Sequence, residues 1–132
     1  WIPDARYGDG FFARARRTDR AVGWLIPQPW VTADGRRERL DDVLDRQWTI
    51  LHIGAAPAGA AAWAGAPIIE IGRDVDDHTG ALTAWLRSKN ARAVVVRPDG
   101  FIYAATDSSL SLPAPPAGLS ITAPAQRNGV PA

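Results

Sequence analysis

Ala93-Val94-Val95-Val96-Arg97-Pro98-Asp99-Gly100-Phe101-Ile102-Tyr103-Ala104-Ala105 is the stretch whose reading decides the fold. Residues 93–97 (AVVVR), with three β-branched valines in a row, read as a strand. Pro98 presets φ for a turn, Asp99 bonds to its own backbone, and Gly100 takes the left-handed position. Residues 101–105 (FIYAA) then return, so the sequence predicts an antiparallel hairpin with a loop of three or so residues.

Working back from the hairpin, Leu82, Trp85 and Leu86 share one face of a helix predicted over about Gly80 to Lys89. Asp77 or Thr79 can cap it, and Asn90 suits a left-handed exit. Pro67 to Ile71 (PIIEI) and Trp48 to Ile53 (WTILHI) read as two further strands, closed by Gly72 and Gly54. Between them, residues 55–66 are Ala-rich but broken by Pro57, Gly59 and Gly65, with Trp63 as the one large anchor. They read as a poor helix or an irregular loop. Leu40, Val43 and Leu44 fall at i, i+3 and i+4 with Asp41 and Asp42 in the first turn, a short amphipathic helix favoured by its dipole. Ala33-Asp34-Gly35 before it is a turn signal. The order strand, helix, strand, helix, strand, strand predicts an α/β fold, a mixed sheet flanked by helices with a C-terminal antiparallel hairpin.

Outside this unit the chain changes character. Residues 1–31 are cut by Pro3, Gly8, Gly10, Gly23, Pro27 and Pro29 and read as a connector, with one or two helical turns between Phe11 and Arg20. Residues 107–132 form a tail rich in Pro, Ala, Ser and Gly that cannot form a core element of its own, although Leu110, Leu112, Leu119 and Ile121 can dock on the surface. The expected division is therefore a connector (1–31), a folded domain (32–106) and a tail (107–132).

Composition narrows the chemistry. The 132 residues carry a net charge of +1, with 46% hydrophobic and 22% charged residues, which gives nucleic acid no strong field to follow. Residues 1–40 are mildly basic, with eight Arg against five acids, and read as a solvated or docking face. The chain contains no cysteine. That removes disulfides, a thiol nucleophile and thiolate metal sites, and suits a reducing cytoplasm. No apolar run approaches a membrane span, and no secretory pattern opens the chain. Its first residue is Trp1 rather than Met, so a larger parent chain is expected.

Two stretches carry a family likeness. One is Gly23-Trp24-Leu25-Ile26-Pro27-Gln28-Pro29-Trp30-Val31 with Asp34-Gly35-Arg36 and Leu40-Asp41-Asp42-Val43-Leu44. The other is Gly80-Ala81-Leu82 and Trp85-Leu86 with Ala93 to Phe101. Together with Pro3-Asp4-Ala5-Arg6-Tyr7 they resemble the C-terminal domain of 3-(3-hydroxyphenyl)propionate hydroxylase-like flavoprotein monooxygenases. The resemblance implies a thioredoxin-like domain beside an absent catalytic part that binds FAD, takes a hydride from NAD(P)H and hydroxylates a phenolic ring. It also implies packing on that catalytic domain, support of a homodimer, or both. The alternative is a stand-alone thioredoxin-like module that binds a small aromatic ligand. No G-x-G-x-x-G fingerprint follows a strand here, so FAD is expected only in the parent chain. A thioredoxin-like redox motif would follow the strand ending at Ile53, where Gly54-Ala55-Ala56-Pro57-Ala58 stands. The substrate-gripping proline would precede Ala93, where Asn90-Ala91-Arg92 stands.

The remaining polar residues suggest no catalytic, cofactor or metal site. His52 lies within an apolar strand and reads as a core or interface histidine rather than a base. Asp74, Asp76, Asp77 and His78 lack the glycine and bidentate acid of a calcium loop. Ser108, Ser109 and Ser111 have no nucleophile elbow. The six Trp are scattered from Trp1 to Trp85, as core and docking anchors are. Arg97-Pro98-Asp99-Gly100 reads as a structural turn.

Overall fold

The structure, a computed structural model, describes residues 21–107, 111–117 and 119. The hairpin forms from β6 (Ala93–Val96) and β7 (Ile102–Thr106), paired antiparallel. Its connection has the three or so residues expected, Pro98 to Gly100 between the bonded pair Arg97 and Phe101. Arg97 N–H donates to the Phe101 carbonyl at 2.8 Å, and Gly100 N–H to the Arg97 carbonyl at 2.9 Å. The ladder then shifts register between Val95 and Val96, a bulge that accommodates one extra residue on β7.

Five more strands complete one sheet: β1 (Trp30–Ala33), β2 (Arg36–Arg39), β3 (Thr49–Ile53), β4 (Ile68–Ile71) and β5 (Val75–Asp76). Their spatial order is β2-β1-β5-β4-β3-β6-β7. β3 runs parallel to β4, with Leu51 opposite Ile69, and antiparallel to β6, with Leu51 opposite Val94. The mixed sheet, flanking helices and C-terminal hairpin agree with the α/β expectation.

Alternation along the strands divides the core in two. On one face Leu51, Val94, Val96 and Ile102 meet Leu40 and Leu44 of α1 (Leu40–Leu44) and Leu82 and Leu86 of α2 (Ala81–Ser88). On the other face Ile50, Val95 and Tyr103 pack under Trp63 and Leu112. No α-helix covers that second face among the described residues. The β3–β4 crossover holds only a 3-10 turn, Ala60–Ala62, because Pro57 and the left-handed Gly59 and Gly65 (φ +89° and +91°) interrupt the helical propensity of the alanines. The tail supplies the missing cover. Leu112 N–H donates to the Ala58 carbonyl at 2.8 Å, and Trp63 Nε1–H donates to the Pro113 carbonyl at 3.0 Å.

At the other end of the chain, the described part of the expected connector is packed inward. Ala21, Val22, Ile26 and Val31 are buried; Gly23 N–H donates to the Ile102 carbonyl of β7, and Ile102 N–H donates to the Trp24 carbonyl. The prolines and glycines that suggest a linker shape this segment around the β7 edge. The β1–β2 hairpin is a further element not evident from the sequence. Its two-residue turn has Asp34 at φ 51° and Gly35 at φ 74°, both left-handed as such hairpins require. β2 is so charged (Arg-Arg-Glu-Arg) that its pattern gives no strand signal.

Candidate functional site

The described residues line an open cavity of about 340 Å³ at the end of the sheet where β3 stops and β6 starts. Gly54 terminates β3 with φ +76°, and a Cβ there would lie 2.8 Å from the Arg92 guanidinium. Arg92 is therefore folded tightly over the glycine. It is held at its backbone by Arg92 N–H donating to the Thr106 carbonyl (2.9 Å) and by Ile53 N–H donating to its own carbonyl (2.8 Å). The small chain Ala55-Ala56-Pro57-Ala58 forms the apolar wall, and Thr106, Asp107 and Ser111 supply polar groups from the end of β7 and the tail. The residues present can bind, but they provide no thiolate to exchange electrons.

The structure separates the residues singled out in the sequence. His52 faces the second core, 3% exposed, opposite Ala93 and Glu70 in the ladders. Its Nδ1 is buried without a hydrogen-bond partner among the described residues.

Asp74, Asp76, Asp77 and His78 do not converge, and no group of three or more metal-ligating side chains occurs among the described residues. Asp74 closes the β4–β5 turn. It accepts the Glu70 N–H at 2.8 Å and pairs with Arg73 at 3.4 Å. The Glu70 N–H, and then Arg73, hold its carboxyl below the usual carboxylate range. Asp77 caps α2, accepting the Thr83 N–H at 2.9 Å and the Leu82 N–H at 3.3 Å. Asp76 pairs with His78 Nδ1 at 3.3 Å, while His78 Nε2 bonds the Thr32 hydroxyl across to β1.

The Arg97-Pro98-Asp99-Gly100 turn is internally tied. Arg97 donates to Asp99 Oδ2 at 2.6 Å, and Asp99 Oδ1 accepts the Phe101 N–H at 3.2 Å. Among the tryptophans, Trp48 and Trp63 form a cluster with Tyr103, ring centroids 5.5–5.7 Å apart. Trp24 and Trp85 flank the Lys89 ammonium. Trp30 is 44% exposed between Arg37 and Arg39. Ser108, Ser109, Leu110, Ile121 and the Phe11–Arg20 turns lie outside the described residues.

Arg92 is the residue that sequence reasoning missed as a site component. Its isolation from any motif hid it, and only the meeting of β3, β6 and β7 brings it to the cavity. No described helix is long and apolar enough to cross a membrane.

Residues 23–112 match the model of the HcaD C-terminal domain, and the chain belongs to that family. Among its relatives, a 3-(3-hydroxy-phenyl)propionate/3-hydroxycinnamic acid hydroxylase of Burkholderia cenocepacia (strain HI2424) is 34% identical, over 70% of this chain and 22% of that protein. A second hydroxylase of that name, from Burkholderia vietnamiensis (strain G4 / LMG 22486), is 32% identical over 67% of this chain and 21% of that protein. The chain thus spans about a fifth of the length of the curated relatives it matches. Among solved structures, aklavinone-11 hydroxylase, determined with FAD and aklavinone, superposes with a TM-score of 0.58. It is 26% identical, over 81% of this chain and 23% of that one. The likeness read from the two motif stretches agrees with these relatives.

Proposed function

We propose that this chain is the non-catalytic C-terminal domain of a FAD-dependent monooxygenase that hydroxylates a phenolic compound in the cytoplasm with NAD(P)H. The domain packs on its own catalytic part and supports a homodimer. The observation that carries this reading is the family match over residues 23–112 together with the small share of each hydroxylase relative that the chain covers. The strand order supports the thioredoxin-like assignment: the parallel pair β3–β4 is extended antiparallel by β6 and β7. Gly54-Ala55-Ala56-Pro57-Ala58 at the end of β3 supports a fold kept for shape. In this reading residues 1–31 lead from the catalytic part, residues 32–106 form the domain proper, and residues 107–132 follow as a tail. Ala21, Val22, Ile26 and Leu112 are drawn into its cores.

The test is removal of the segment equivalent to residues 23–112 from the full-length parent. The shortened protein is expected to keep its FAD, lose thermal stability and sediment as a smaller assembly. Loss of FAD with an unchanged assembly would contradict the reading.

A further inference from the structure

We propose that the cavity beside Gly54 binds a small organic monocarboxylate, held by Arg92 at its charged end and by the Ala55–Ala58 wall at its apolar end. The proposal rests on the cavity alone and is independent of the hydroxylase assignment. At about 340 Å³ the cavity lies at the lower end of the range small ligands occupy. Its wall is methyl groups and a proline ring, which suit an apolar body. No described carboxylate ion-pairs with Arg92; the described pairs use Arg73, His78 and Arg97. A planar guanidinium with no anionic partner, its backbone fixed at both N–H and carbonyl, is suited to a two-pronged carboxylate contact. Gly54 is what lets it lie there, because any side chain at that position would displace the guanidinium.

Asp107 also lines the cavity. Its negative charge disfavours a second carboxylate on the ligand, so the site selects monoanions over dianions. Ser111 offers a hydroxyl partner for a polar substituent. The proposal is for binding alone: the chain has no cysteine, and His52 is buried within β3.

The experiment is titration of the isotope-labelled 132-residue chain with benzoate at pH 7, followed by amide chemical shifts. Benzamide, phthalate and inorganic phosphate serve as comparison probes. Benzoate is expected to move the amides of Gly54–Ala58, Arg92 and Asp107 with a millimolar dissociation constant, and phthalate to bind more weakly. Arg92→Gln, at an exposed position, should weaken benzoate about tenfold and leave benzamide unchanged, while Arg92→Lys recovers part of the loss. Asp107→Asn should narrow the gap between benzoate and phthalate. Absence of shifts at these amides, equal shifts with phosphate, or benzoate binding that survives Arg92→Gln would each overturn the proposal.

Discussion

Trp63 shows how much one residue carries on a face that no described α-helix covers. It is 1% exposed, lies against Trp48 and Tyr103, and donates its ring N–H to the Pro113 carbonyl. Trp63→Ala opens a cavity beneath the tail and is expected to cost about 3–5 kcal/mol in urea unfolding. Trp63→Phe keeps most of the volume and should cost much less. The sequence singles out Trp63 as the anchor of residues 55–66, so its burial is legible. Its partners are not, because Pro113 lies fifty residues away in a segment whose composition suggests only a tail. Tyr103 in the same cluster has a pH signature. Burial raises its phenol above the ordinary value of 10.0, so the folded state holds that proton more tightly than the unfolded chain. The associated stability is complete below the ordinary phenol range and is lost as pH rises through the raised value. Tyr103→Phe is therefore expected to flatten the alkaline arm of the stability profile, measured by urea midpoints across pH 8 to about 11. Asp74 acts in the opposite direction. Its lowered carboxyl contributes above the usual carboxylate range and the contribution fades as pH falls through the depressed value, weakly because the side chain is exposed.

At the scale of elements, helix α2 and the hairpins follow local chemistry closely. Asp77 accepts two backbone N–H groups at the start of α2 although Gly80 occupies the cap position itself. Asp77→Ala is expected to cost about 1 kcal/mol and to increase amide exchange in the first turn of α2 before any other element. Gly35 sits at φ +74° with open space around a would-be Cβ, so Gly35→Ala is a backbone test without steric contact. An expected loss of about 1–2 kcal/mol should appear in hydrogen exchange of residues 30–39 first. The strands β3, β4, β6 and β7 are legible because each is a largely apolar run with a glycine or proline close to at least one end. β2 is not, since its Arg-rich edge obeys edge-strand protection rather than burial. α1 is legible from Leu40, Val43 and Leu44, whereas the β3–β4 crossover is helix-like in composition and is halted by Pro57, Gly59 and Gly65.

At the scale of the whole molecule, one sheet has a helical face and an aromatic face, and Ala21, Val22 and Ile26 pack on the first as Leu112 packs on the second. The family likeness is readable in two separated motifs, but the cavity is not, because it depends on three strand ends meeting. The central claim is that this domain packs and binds without taking part in hydroxylation. Its most direct test is a full-length parent enzyme in which Arg92→Gln, Asp107→Asn and Ser111→Ala remove the polar side chains around the Gly54 cavity. Turnover of the phenolic substrate with NAD(P)H should stay within about twofold of the unaltered enzyme, with FAD content unchanged. A kcat reduced by about a hundredfold or more in a folded, FAD-replete protein would contradict the account.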